Sequence, residues 1–150
     1  MSNTTELIKR AQKRAQDTNL PYCGALLPDE AYEVLTHTAQ VVMVDVRTQA
    51  EWDWVGFVPE AVHIEWQSYP SGLRNDKFVE ILRSRVPEQA TILFLCRSGA
   101  RSHAAAEEAT RQGWSQCYNV LHGFEGDRDV QGHRGVINGW CAAGLPWKQN

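Results

Sequence analysis

No stretch of the 150 residues approaches the apolar run that a membrane-spanning helix needs, so no contact with a membrane is expected. The N-terminal segment MSNTTELIKRAQKRAQDTNL has no apolar block to serve as a secretion signal, and a cytoplasmic location is the expectation. Basic charge is not in excess. Fifteen Lys and Arg against eighteen Asp and Glu leave a net charge of -3 and a pI near 5.9. A dedicated nucleic-acid binder would show a Lys/Arg stripe, and nucleic acid is therefore not an expected partner. The CxxC spacing is missing too. Four cysteines, Cys23, Cys96, Cys117 and Cys141, are widely spaced in a chain large enough not to need disulfide staples. The five histidines, at positions 37, 63, 103, 122 and 133, lack metal-ligand spacing, so no metal is expected. Internal repeats and low-complexity segments are absent. What is present, 43% hydrophobic and 22% charged residues in 17.0 kDa, suffices for one domain with a sizeable core.

Along the chain, short apolar runs alternate with helical patterns. Residues 2–19 carry Leu7, Ile8, Ala11 and Ala15 at helical spacing, with Lys9, Arg10, Lys13 and Arg14 read as a solvated face. Pro21 and Gly24 end that helix. An extended piece follows at Cys23–Leu26, then a helix opened by Pro28 and running to about Leu35. The β-branched run Val41-Val42-Met43-Val44 is too short for a helix and reads as a buried strand. Thr48 and Glu51 make a capping box for a further helix. A short strand is expected at Ala61–Ile64, a helix at Asn75–Val86 stopped by Pro87, and the strongest strand at Thr91–Leu95. An alanine-rich helix follows at Ser102–Gln112, then a strand at Cys117–Leu121 and a short terminal helix at Trp140–Ala143. Strands alternating with helices in this way mean an α/β domain with a largely parallel sheet.

In such sheets ligands bind at the carboxyl ends of strands. Cys96 stands at the end of the strongest one, in the loop Cys96-Arg97-Ser98-Gly99-Ala100-Arg101 that enters a helix. Successive loop N–H groups, the helix N-terminus and the guanidinium groups of Arg97 and Arg101 all favour a thiolate, so Cys96 reads as a nucleophile. Gly99 supplies the backbone freedom for the loop to curl around an anion. The other three cysteines read as small buried hydrophobes.

This loop resembles the active-site loop of rhodanese-like sulfurtransferases. The likeness extends to Asp45-Val46-Arg47 with Glu51, to Gly56 and the Val58–Ile64 stretch, and to the Gly139–Pro146 ending. It spans about residues 22–147. Phe57-Val58 stands where His-Ile is common in the family, and Glu60 replaces a glycine. The resemblance implies a rhodanese-like α/β fold with a central, mostly parallel five-stranded sheet flanked by helices on both faces. It implies a helical N-terminal extension over residues 1–20 and the domain proper over 21–150. Tyrosine phosphatases and thioredoxin-coupled arsenate reductases place five residues between the nucleophile and the oxyanion-binding Arg. Here four lie between Cys96 and Arg101, and no general-acid Asp stands at a recognisable offset, so phosphatase chemistry is the weaker reading.

The mechanism the resemblance implies is sulfur transfer of the thiosulfate sulfurtransferase type. Cys96 takes the outer sulfur of a small anionic donor, holds it as a persulfide, and passes it to a thiol or protein acceptor without metal or organic cofactor. Arg97, Ser98, Gly99, Ala100 and Arg101 are the expected substrate-binding residues. Asp45 and Arg47, at a neighbouring strand end, are open to two roles, an ion pair that fixes the turns or direct substrate contact; the ion pair is favoured for Asp45. His103 reads mainly as a surface residue and His122 as a residue near the site. Residues 127–138 read as a surface loop. A rhodanese-fold docking or regulatory module without turnover is the alternative function.

Overall fold

The computed structural model describes residues 3–150. In chain order the elements are α1 (Asn3–Thr18), β1 (Gly24–Leu26), α2 (Pro28–His37), β2 (Val41–Asp45), α3 (Gln49–Trp54), β3 (Val62–His63), α4 (Phe78–Arg85), β4 (Thr91–Leu95), α5 (Ala100–Arg111) and β5 (Cys117–Val120). Residue 2, where the sequence pattern starts the first helix, lies outside the described residues. The five strands form one sheet in the order β1-β5-β4-β2-β3, every pair parallel.

The apolar runs are strands because helices cover both faces of the sheet, so consecutive residues must all be buried. Side chains alternate across it. Val44, Ile92 and Phe94 join Phe78, Leu82, Ala105, Ala106, Ala109 and Trp114 on the face covered by α4 and α5. Met43, Leu93 and Leu95 join Leu7, Ala11, Ala31, Val34 and Trp140 on the face covered by α1 and α2. The helix α1 buries the stripe Leu7, Ala11 and Ala15 expected from its spacing. Its basic face is not all solvated, contrary to the reading of the sequence. Arg14 forks onto Glu30 at 2.6 and 2.9 Å and also donates to the Ala25 carbonyl, and Arg10 donates to Glu30 at 3.1 Å. Burial alone would raise the Glu30 carboxyl, but these guanidinium groups and the Leu27 N–H hold it below its ordinary range.

Three departures from the sequence reading have local reasons. The helix α4 starts at Phe78 rather than Asn75, because the Asn75 side chain accepts the Lys77 N–H in a turn that competes with the helix. The helix α5 starts two residues before Ser102, drawing Ala100 and Arg101 into its first turn. Residues 140–143 form one turn instead of a helix. Gly139 and Gly144, both at positive φ, bracket a turn closed by bonds from the Ala143 N–H to the Gly139 carbonyl and from the Gly144 N–H to the Cys141 carbonyl, while Trp140 is buried and donates to the Pro146 carbonyl. Residues 127–138 form no helix or strand and are tied by Asp129, whose carboxylate accepts the Gln131 and His133 N–H groups.

The topology fixes where a ligand can sit. The chain leaves β2 for β3 on one side, and leaves β4 for β5 on the other. The two connections part above the β2–β4 pair and open a crevice at the carboxyl ends of those strands. Asp45 is paired with Leu95 in this register, so the turns after both residues meet at that point.

Candidate active site

Cys96 immediately follows β4 at the crevice. Its carbonyl accepts the Phe124 N–H at 2.8 Å, and the Arg97 carbonyl accepts from Glu125 and Gly126 at 2.9 and 3.2 Å. These bonds press the start of the loop against the segment after β5. The approach leaves no room for a side chain at Gly123, where a Cβ would stand 2.4 Å from the Cys96 carbonyl oxygen. Gly99, at φ +112°, then turns the chain so that its N–H donates to the Cys96 Sγ at 3.1 Å. The Ser102 hydroxyl lies 3.3 Å from the same sulfur.

Arg101 projects from the first turn of α5 and donates to Glu51 through both terminal nitrogens, at 2.7 and 2.9 Å. Glu51 also accepts from the N–H and the hydroxyl of Thr48, its partner in the capping box of α3. Burial by itself would raise the Glu51 carboxyl, but Arg101, the Thr48 N–H and the nearby charge of Arg47 hold it below its ordinary value. Burial of Arg101 is likewise outweighed by Glu51, so its guanidinium is held above its ordinary value. The sequence reading takes Arg101 as a substrate-binding residue; in the structure its guanidinium is paired with the Glu51 carboxylate, and the fork ties the loop to α3.

Arg97 is different. It is exposed, and its guanidinium has no hydrogen bond or ion pair among the described residues. With Arg101 it lines a cleft of about 580 Å3, whose other walls include Thr48, Glu51, Trp54, Tyr69 and Glu125. Trp54, 85% exposed, and Tyr69 stand on its rim. Ser98 and Gly99 are half-buried and Ala100 is exposed. Cys96 itself is 1% exposed and is not part of the cleft lining. The sulfur lies under the loop that closes the cleft floor.

Asp45 and Arg47 are both fully buried. Arg47 donates to Asp45 from Nε at 3.0 and 3.2 Å and from Nη2 at 2.8 Å, while its backbone N–H donates to Oδ1. Its Nη2 also donates to the Gly56 carbonyl, and the guanidinium stacks on Phe124 at 4.2 Å. Of the two roles left open for this pair, the geometry is that of an ion pair bracing the turn after β2.

The span that holds this cysteine, its loop and the flanking strand and helix matches a known family model. The Rhodanese-like domain model covers residues 27–128. The chain belongs to the rhodanese-like domain family. The crystal structure of Rv0390 from M. tuberculosis superposes with a TM-score of 0.79 at 47% identity, covering 86% of this chain and 99% of that one. The uncharacterized protein RC0915 of Rickettsia conorii is 35% identical over 125 residues, 79% of this chain and 92% of its own length. A sulfurtransferase of Allochromatium vinosum is 30% identical over 112 residues, 75% of this chain and 82% of its own length.

Within this rhodanese-like domain, Ser102 beside the sulfur and Asn119, which holds Ser102, were not singled out from the sequence. Asn119, in the middle of β5, accepts the Ser102 hydroxyl at 2.5 Å, and its Nδ2 donates to the Gly99 carbonyl at 3.2 Å and to the Tyr22 hydroxyl at 3.3 Å. Tyr22 in turn meets His103 Nδ1 at 2.8 Å. The signal was an amide inside an apolar strand, which is unusual where both faces are buried. His122 follows β5 at φ +68°, and its backbone N lies 3.8 Å from where a Gly99 Cβ would be. All four cysteines are free thiols.

Proposed function

We propose that this rhodanese-like protein is a sulfurtransferase that carries a sulfane sulfur on Cys96 as a persulfide. The observation that carries the reading is the Gly99 N–H aimed at Cys96 Sγ from a loop that opens α5 at the carboxyl end of the central strand. In the first step the Cys96 sulfur, as its anion, attacks the outer sulfur of thiosulfate; the donor S–S bond breaks and sulfite leaves with its electron pair. In the second, an acceptor such as cyanide or a thiolate attacks the outer sulfur of the Cys96 persulfide, and the Cys96 anion leaves. The outer sulfur bears the persulfide's negative charge, and N–H groups of Ser98, Gly99 and Ala100 are the donors nearest in sequence to receive it. Arg97 attracts and orients the anionic donor, Arg101 braces the loop through Glu51, and Asp45 with Arg47 braces the adjoining turn. Each residue acts without metal or organic cofactor.

The 1% exposure of Cys96 favours a second reading, a docking or regulatory module whose loop is not turned over. One experiment separates the two. The protein is incubated with thiosulfate and its intact mass measured, then cyanide is added and thiocyanate assayed. A sulfurtransferase gains one sulfur atom, releases thiocyanate, and loses both signals in Cys96→Ser. Absence of the adduct in the parent protein, or its persistence in Cys96→Ser, overturns the assignment.

A further inference from the structure

The hydrogen bonds around Ser102 have a direction that can be assigned atom by atom. The Gly99 carbonyl can only accept, so the Asn119 group facing it at 3.2 Å is the Nδ2 amide nitrogen. The opposite end of the same amide, Oδ1, therefore faces Ser102 at 2.5 Å, and the Ser102 hydroxyl must spend its single hydrogen there. Toward Cys96, at 3.3 Å, Ser102 presents only lone pairs. The second Nδ2 hydrogen goes to the Tyr22 hydroxyl, whose oxygen lies 2.8 Å from Nδ1 of His103. Burial raises the Tyr22 hydroxyl above its ordinary range, so it stays protonated. The outer end, His103, is half-buried beside a second hollow of about 620 Å3 that Tyr22, Asn119 and Gly99 also line.

We propose that Asn119 is a positioning residue that turns the Ser102 hydroxyl away from Cys96, so that at rest Ser102 offers the sulfur an acceptor and no donor. A thiol donates to the Ser102 lone pair; a sulfur anion faces that lone pair unfavourably until the Ser102 hydroxyl swings round and gives up Asn119. Ser102 and Asn119 thus form a latch on the nucleophile, set from β5 and independent of the cleft. The charged and titratable groups around the loop are the Arg101–Glu51 pair from α5 and α3 and the Asp45–Arg47 pair after β2, each internally neutralised, with Arg97 on the loop itself and His122 and Glu125 on the segment after β5. Substitution at Ser102 or Asn119 alters none of them. The inference rests on Cys96 being the reactive thiol, but its test reads that thiol directly and needs no sulfur transfer.

The test is the pH dependence of Cys96 alkylation by iodoacetamide, followed by mass spectrometry of the peptide 86–97. Ser102→Ala removes the lone pair and moves the midpoint of the profile down by about half a pH unit, roughly a threefold faster reaction below the midpoint. Asn119→Leu, of similar volume, frees the Ser102 hydrogen to turn onto the sulfur and moves the midpoint further down than Ser102→Ala does. Asn119→Ala provides the same test if the leucine does not fold. The double variant returns to the Ser102→Ala profile, because Asn119 acts only through Ser102. Ser102→Thr, which keeps the hydroxyl, retains the parent profile. A midpoint that rises in Ser102→Ala would mean that Ser102 donates to the sulfur at rest, and overturns the proposal. So does an Asn119 effect that survives in the Ser102→Ala background. Loss of thiosulfate turnover with these profiles intact would instead count against the sulfurtransferase reading alone.

Discussion

Replacing Arg101 by Ala should cost stability as well as activity, and the loss should depend on pH in a stated direction. The pair is a two-bond fork between side chains that are 19% and 18% exposed. Exposed ion pairs contribute about 0.2–1 kcal/mol, whereas stripping one partner from a buried pair costs roughly 3–5 kcal/mol. Glu51 lies nearer the buried case but keeps two bonds from Thr48 when Arg101 is gone. The expected loss near neutral pH is therefore about 2 kcal/mol, or a fall of about 4–8 °C in the thermal midpoint. The folded-state value of Glu51 lies below its ordinary 4.5. A lowered carboxyl contributes stability that is present above the unfolded value and disappears as pH falls through the folded one. The parent loses this contribution on acidification and the variant has little to lose, so the gap between them narrows. Urea unfolding of both proteins near neutral pH and at about pH 3.5 measures it. A gap below about 0.5 kcal/mol near neutral pH, or one that stays constant on acidification, would refute the argument. Arg101→Lys restores only part of the loss, because an ammonium group cannot form the fork.

Other substitutions separate the remaining parts of the site. Gly123→Ala drives a Cβ toward the Cys96 carbonyl at 2.4 Å and forces alanine to φ +66°; a loss of about 3 kcal/mol is expected in denaturant unfolding, and an unchanged midpoint would show that the loop shifts freely. Arg97→Ala leaves the thermal midpoint unchanged and raises KM for thiosulfate on the order of tenfold with little change in kcat; an unchanged KM removes Arg97 from the donor site. Asp45→Ala leaves the fully buried Arg47 without its carboxylate and costs about 3–5 kcal/mol by the same unfolding measurement, whereas an effect below about 1 kcal/mol would mean that the pair is not a brace. Burial pushes the Cys117 thiol up to about 11. It should resist iodoacetamide in mildly alkaline solution until the protein unfolds, and rapid labelling of the native protein contradicts this.

Local signals in the sequence were sufficient for most elements, and what they missed is long-range. Thr48 and Glu51 are three residues apart, so their reciprocal cap could be read directly; the grip of Glu51 on Arg101 crosses 50 positions and could not. The same holds for Arg10 and Arg14, whose partner Glu30 belongs to the next helix and becomes visible only once α1 lies against α2. Asn75 delays the start of α4 through its own side chain, a local competition that apolar periodicity does not report. The Cys96 loop was legible because strand, nucleophile, glycine and helix are contiguous. Asn119 was not: its three bonds reach to Ser102, Gly99 and Tyr22, which only the fold assembles.

These pairings bear on how the site handles charge. Of the arginines at the mouth and floor of the crevice, Arg47 is matched to Asp45 and Arg101 to Glu51, while Arg97 has no carboxylate within ion-pair distance, although Glu125 lines the same cleft. The uncompensated guanidinium is also the exposed one, where screening by salt is strongest. The sulfur, by contrast, is addressed by dipoles: the Gly99 N–H and a Ser102 hydroxyl whose direction Asn119 sets. On the proposed function, attraction of an anion and readiness of the sulfur fall to separate groups, one on the loop surface and one beneath it. A change at Arg97 alters the encounter with a charged donor and leaves the sulfur's hydrogen bonds intact, and a change at Asn119 does the reverse. The short loop makes this division possible, because Gly99 turns its N–H inward to the sulfur while Arg97, two residues earlier, points its charge at solvent.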